Sequence, residues 1–63
     1  MNNAANTFKQ NIEYLKGILG EEKIEVFLRI NALDLNLKRQ YKKTNFKEYK
    51  IYEEVKKCLK SIS

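Results

Sequence analysis

EEKIEVFLRINALDLNLKRQYKK, residues 21–43, is the stretch that decides the fold, because its apolar residues fit both an α-helix and a β-hairpin. At 100° per residue they form two apolar faces. One face comprises Val26, Ile30, Leu33, Leu37 and Tyr41. The other comprises Ile24, Leu28 and Leu35, flanked by Phe27. Read as strict alternation instead, residues 24–37 form two strands that would pair about Asn31-Ala32.

The turn and the charges of this stretch favour the helix. A two-residue hairpin turn prefers glycine at its second position, where this chain has Ala32. In a helix, Glu25 lies one turn before Arg29 and Asp34 one turn before Lys38, an order that stabilises helices. We therefore predict one helix over about residues 21–43. The alternative is an α-β-β-α fold with a hairpin at residues 24–38.

The flanking sequences predict two more helices. Thr7 and Gln10 match a capping box at the start of the first helix, and Gly20 suits the residue that ends it. The apolar stripe of this helix comprises Phe8, Ile12, Leu15 and Leu19. A second capping pattern begins at Asn45 and predicts a turn at residues 44–45, followed by a third helix over about residues 46–62.

We accordingly predict an all-α protein of three helices, with helices 2 and 3 as an antiparallel hairpin. Residues 7–63 form the single small domain, and residues 1–6 are a frayed N-terminus. The two apolar faces of the second helix point in nearly opposite directions, so helices on both sides would leave a flat layer with uncovered edges. Self-association would close such a layer. We predict a homodimer, with an oligomer or partner interface at Ile24, Phe27 and Leu35.

The composition argues against an enzyme or a metalloprotein. The 63 residues include no histidine and one cysteine, so zinc lacks its commonest nitrogen ligand and no internal disulfide forms. Glycine-rich phosphate loops and nucleophile elbows are absent from the sequence. We expect no catalytic residue, no metal, no cofactor and no small-molecule substrate. With no membrane-length apolar run and no basic or apolar leader at the N-terminus, we expect a cytoplasmic protein and no membrane partner.

Charge is distributed unevenly along the chain. Residues 1–37 contain four basic and five acidic residues (net −1), whereas residues 38–63 contain nine basic and three acidic residues (net +6). A concentrated positive field attracts acidic partners. The residues that we predict to contact a partner or a nucleic acid are Lys38, Arg39, Lys42, Lys43, Lys47 and Tyr49.

These features favour a small non-enzymatic regulatory protein that acts by protein–protein interaction, as an inhibitor, an antagonist or an accessory subunit. The alternative is a nucleic-acid-binding protein that uses the basic patch at residues 38–50 as a phosphate clamp. In that alternative, an aromatic ring among the lysines would offer a stacking surface for bases.

Overall fold

The computed structural model describes residues 4–62, with their side chains from residue 7 onward. This part of the chain forms four helices: α1 (Ala4–Leu19), α2 (Glu21–Asn31), α3 (Leu35–Thr44) and α4 (Phe46–Ile62). Residues 4–62 contain no strand, which confirms the all-α prediction and shows that the alternative hairpin at residues 24–38 is wrong. The predicted number of helices is also wrong, because residues 21–43 form parts of two helices rather than one.

Asp34 separates α2 from α3. Its backbone is extended (φ −74°, ψ 174°), and its carboxylate accepts a hydrogen bond of 2.9 Å from the backbone N–H of Leu37. The last turn of α2 closes with hydrogen bonds from the N–H groups of Ala32 and Leu33 to the carbonyls of Leu28 and Ile30. Aspartate is among the strongest N-cap residues, because it satisfies a backbone donor that the helix leaves unpaired. This local hydrogen bond favours the start of a new helix after Asp34 over the continuation of α2.

The other helix ends follow the predicted turns. Gly20 has φ 101° and ψ 150°, a conformation essentially restricted to glycine, and its N–H donates to the Lys16 carbonyl at 3.1 Å. The Asn45 side-chain oxygen accepts from the Glu48 N–H at 3.4 Å, which confirms the predicted cap. The predicted start at Thr7 is wrong, because α1 already includes residues 4–6; residues 1–3 lie outside the described residues.

The core forms where α1, α2 and α4 meet. Its most deeply buried side chains, Ile24, Ile30 and Val55, are each at most 1% exposed. The remaining buried side chains are Ile12, Leu15, Val26, Phe27 and Tyr52. Complete burial of an aliphatic or aromatic side chain stabilises a fold by about 1.5–3 kcal/mol. These contacts are therefore the main source of stability for so short a chain.

The helix α2 runs antiparallel to α4 and makes the most extensive interhelical contact. An ion pair of 3.2 Å joins Lys23, near the start of α2, to Glu54 in α4. A second pair of 3.7 Å joins Arg29, near the end of α2, to Glu48 at the start of α4. The predicted hairpin paired one helix over residues 21–43 with the last helix. In the structure that stretch is divided between α2 and α3, and α2 runs antiparallel to α4. The pairs predicted within one helix, from residue 25 to 29 and from 34 to 38, are not among the ion pairs of the described residues.

The helices α1 and α4 both contact α2 and bury four of its apolar side chains, Ile24, Val26, Phe27 and Ile30, within one chain, whereas Leu28 is 40% exposed. Ile24 and Phe27 are 1% and 2% exposed, which revises the prediction that these side chains form an oligomer or partner interface. Leu35, the third residue of that predicted interface, is 63% exposed. The core of the described residues is closed without a second copy of the chain, so the predicted homodimer gains no support from the fold.

Replacing Ile30 by alanine is expected to lower the free energy of unfolding by about 2–5 kcal/mol, because the variant loses buried surface and gains a cavity. A domain of this length has a total stability of roughly 3–9 kcal/mol. Leu35→Ala is the matched control, and its effect should stay within about 0.5 kcal/mol because the side chain is exposed. Urea unfolding followed by circular dichroism measures both. Equal losses in the two variants would contradict the burial of Ile30.

Asp34→Ala is expected to cost about 1 kcal/mol and to speed hydrogen exchange in the first turn of α3, because the cap is lost. Asp34→Asn should keep most of the stability, since asparagine caps nearly as well. Alanine also favours a continuous helix. A gain in helix content or stability in Asp34→Ala would mean that α2 and α3 prefer to merge, which contradicts the role assigned to this residue.

Candidate functional site

Residues 35–50, which comprise α3, the turn at Asn45 and the first turn of α4, carry a concentration of positive charge that we call the basic surface. They contain six basic residues and one acidic residue, Glu48, a net charge of +5. The whole chain also has a net charge of +5, so the remaining residues balance one another. The basic members are Lys38, Arg39, Lys42, Lys43, Lys47 and Lys50. The positive field of this protein therefore originates from one end of the fold.

A polar cluster attaches α3 to the rest of the protein. None of the residues of α3 is buried, although Tyr41 packs in part against the core, as does Leu33 in the turn before α3. The Tyr41 hydroxyl donates a hydrogen bond to one carboxylate oxygen of Glu48, and the other oxygen lies 3.7 Å from Arg29 Nη2. Glu48 thus connects all three helices α2, α3 and α4. This hydrogen bond, together with burial and the negative charge of Glu48, raises the pKa of Tyr41 above its ordinary value, whereas Arg29 opposes the rise.

Three aromatic rings form a second connection between the helices. Phe27 and Tyr52 stack with their centroids 5.4 Å apart and an interplanar angle of 16°, and Tyr49 lies 5.3 Å from Tyr52. The ammonium group of Lys38 lies 5.8 Å from the centroid of Tyr52, and that of Lys42 lies 5.6 Å from the centroid of Tyr49. These cation–π contacts join α3 to α4 through long, partly solvated side chains.

The aromatic cluster changes the interpretation of three predicted contact residues. Tyr49 is half-buried, with its ring against Tyr52 and the Lys42 ammonium group 5.6 Å from its centroid, so these neighbours reduce the ring surface that a base could stack on. Lys38 and Lys42 contribute charge at the surface, but they also hold α3 in place. Their replacement would therefore disturb structure and charge together.

The other three predicted contact residues, Arg39, Lys43 and Lys47, are exposed. No ion pair, hydrogen bond or cation–π contact engages their side chains within residues 4–62. When a cation without an internal partner binds an external anion, no internal contact is broken, so the fold loses no stability. These three residues are accordingly the most available for a partner.

Asn36 and Gln40 extend this set on α3 and were missed by the sequence analysis. Together with Arg39 and Lys43 they follow the spacing i, i+3, i+4 and i+7, which places all four on one side of a helix. That side lies away from Tyr41, which faces Glu48 of α4. The four side chains are exposed, and we call them the outer face of α3. Their spacing was visible in the sequence, but it gained meaning only when α3 proved to be a separate helix.

The described residues have three further properties that concern function. Among the described residues, no three His, Cys, Asp or Glu side chains are grouped so that they could hold a metal ion. Within the same residues, no helix has the length and apolar character needed to cross a membrane. The single cysteine, Cys58, is half-buried beside the core.

Tyr41→Phe is expected to lower the urea midpoint and to speed hydrogen exchange throughout α3, because the bond to Glu48 is lost. The pKa of Tyr41 is higher in the fold than in the unfolded chain, so this stabilisation is present below pH ~10 and is lost as pH rises through the raised pKa. The difference in stability between the two proteins should therefore shrink in strong alkali.

The matched control is Tyr14→Phe, which removes a hydroxyl from a side chain that is 59% exposed on α1. Glu48→Gln should reduce the effect of Tyr41→Phe in a double-mutant cycle, because the two changes remove the same interaction. Additive effects in the cycle would mean that Tyr41 and Glu48 do not cooperate in attaching α3.

No protein-family model matches this chain, and neither a curated protein nor a solved structure matches it.

Proposed function

We propose that this chain is a nucleic-acid-binding protein that acts by binding rather than by catalysis and uses the basic surface as a phosphate clamp. The observation that carries the proposal is the placement of a net charge of +5, equal to that of the whole chain, on residues 35–50. Arg39, Lys43 and Lys47 are exposed there without an internal partner among the described residues. Nucleic acids offer the dense, regular negative charge that such a surface fits.

The energetics favour a polyanion over a single acidic group. Each phosphate that a basic side chain neutralises releases condensed counterions, so several separate lysines contribute additively to binding at low salt. One isolated ion pair at the surface of a protein contributes only about 0–1 kcal/mol. A row of cations is therefore most effective against a row of anions. The same field also accelerates encounter with the partner.

A protein partner remains the second candidate, because large apolar side chains are exposed beside the basic residues. Leu35, Leu37 and Phe46 are 63%, 45% and 55% exposed. The regulatory role that the sequence favoured would now depend on these side chains, because Ile24 and Phe27 are occupied in the core. Either partner is consistent with the expected cytoplasmic location.

The test is fluorescence anisotropy with labelled duplex DNA, single-stranded DNA and RNA over a range of salt concentrations. The triple variant Arg39→Gln, Lys43→Gln and Lys47→Gln should bind all sequences more weakly. The slope of log K against log salt should become shallower by roughly 0.9 for each lost phosphate contact, and so by about 3 in total. These residues have no internal partner in the described part of the chain, so the fold should be unaffected.

The matched control is Lys9→Gln, Lys57→Gln and Lys60→Gln, which removes the same charge from exposed positions outside the basic surface. Both triple variants have a net charge of 5 − 3 = +2. Equal losses in the two would mean that net charge, not the basic surface, drives binding. Absence of binding to every nucleic acid at low salt would overturn the proposal and favour the protein partner.

A further inference from the structure

The break between α2 and α3 presents a short helix whose outer face is free. We propose that α3 enters the major groove of duplex DNA and reads base edges with its outer face, Asn36, Arg39, Gln40 and Lys43. This inference rests on the proposed nucleic-acid-binding function and specifies its substrate class. It is carried by the exposure of the whole outer face, by the chemistry of its side chains and by the charge around it.

The shape of α3 suits the groove. The major groove of B-form DNA, about 12 Å wide, admits one α-helix. The ten residues of α3 span about 15 Å along the helix axis. None of these residues is buried, and the outer face is exposed from Asn36 to Lys43. It follows a turn of three residues, 32–34, a connection that many DNA-binding proteins use before the helix that contacts bases.

The outer face has the side chains that distinguish bases. Arginine forms two hydrogen bonds with O6 and N7 of guanine, and asparagine or glutamine forms two with N6 and N7 of adenine. The outer face of α3 offers one arginine and two amides within a single helical side. A face that served only for solubility would mix glutamate with lysine, yet residues 35–44 contain no acidic residue. Uncharged amides can also donate to phosphate oxygens, but they release no counterions. Their paired donor and acceptor atoms are what suits them to adenine.

The aromatic residues argue for duplex rather than single-stranded nucleic acid. Proteins that bind single strands stack successive bases on exposed aromatic rings. In this protein the rings of Phe27, Tyr49 and Tyr52 pack against one another. Phe46 is 55% exposed, but the ammonium group of Lys50 lies 5.6 Å from its centroid. A row of free rings is therefore missing from the described part of the basic surface.

The lysines beside the outer face supply the contacts that position a helix on DNA. Phosphate contacts determine the register of a protein on the duplex, whereas base contacts determine sequence preference. Lys47 and Lys50 lie in the first turns of α4, which runs back beside α3, since Lys42 contacts Tyr49 and Lys38 contacts Tyr52. They are placed to contact the phosphates at the rim of a groove that α3 occupies. The experiment that follows tests whether α3 contacts bases while these lysines of α4 contact phosphates.

The first experiment selects tight binders from a library of duplexes with a randomised central segment, then measures anisotropy on the enriched duplex and on a scrambled one. Arg39→Ala should lower the ratio of the two affinities by about fivefold or more, the lower limit for a lost bidentate base contact. Gln40→Ala should also lower this ratio. The control Lys47→Ala should weaken binding to both duplexes by the same factor, because it removes a phosphate contact.

Base analogues identify the groove. In the enriched duplex, 7-deazaguanine or 7-deazaadenine removes N7 from the major groove and should weaken binding about fivefold or more at the contacted position. Inosine in place of guanine removes only the minor-groove amino group and should leave the affinity unchanged. The opposite pattern would place the protein in the minor groove and overturn the inference.

Other outcomes separate this inference from the function on which it rests. Salt-dependent binding without enrichment of any sequence, or tighter binding to single strands or RNA, would overturn major-groove reading and leave the phosphate clamp intact. Equal loss of the affinity ratio in Arg39→Ala and Lys47→Ala would also overturn it. Absence of binding to every nucleic acid would remove both proposals. Circular dichroism and the urea midpoint confirm that each variant is folded.

Discussion

The carboxylate of Asp34 accepts the Leu37 N–H at 2.9 Å, and the position of α3 depends on the helix break that this hydrogen bond caps. It begins a new helix within a stretch whose apolar spacing would otherwise support one long helix. A continuous helix would carry two apolar faces in nearly opposite directions. With the break, α2 packs its buried apolar residues against α1 and α4, whereas α3 contacts the core chiefly through the half-buried Tyr41. One local capping interaction thus resolves a conflict between two buried faces.

As a result of this break, two kinds of contact stabilise the molecule, apolar burial and polar contacts. Aliphatic and aromatic burial holds α1, α2 and α4 together, around side chains such as Ile30 and Val55 that are fully buried. Polar contacts hold α3, chiefly the Tyr41 hydroxyl on Glu48 and the ammonium groups of Lys38 and Lys42 on aromatic rings. Contacts of the second kind are weaker and more solvated. We therefore expect α3 to open before the rest of the fold, which would allow it to adjust to the surface of a partner.

The basic side chains also fall into two groups, those that stabilise the fold and those that are available to a partner. Lysines on the inner side of α3 cover aromatic rings, and Arg29 pairs with Glu48, so these cations contribute to the fold. Arg39 and Lys43 on the outer side have no such partner among the described residues. A count of basic residues does not distinguish these two groups. The contacts of each ammonium or guanidinium group do, and they identify the outer face of α3 as the surface that remains available for recognition.

The sequence by itself determined the helical class, the end of α1 at Gly20 and the turn at Asn45. These features follow from local backbone preferences and from apolar spacing, both of which act over a few residues. Tertiary structure alone decided that Ile24 and Phe27 belong to the core, that the Tyr49 ring is covered, and that Asn36 and Gln40 share a free face with Arg39. Each of these outcomes depends on which face of α2 meets α1 and on whether α3 continues α2. The capping hydrogen bond and the burial of side chains from distant parts of the chain compete to decide these outcomes. The spacing of residues along the sequence does not reveal the result of that competition.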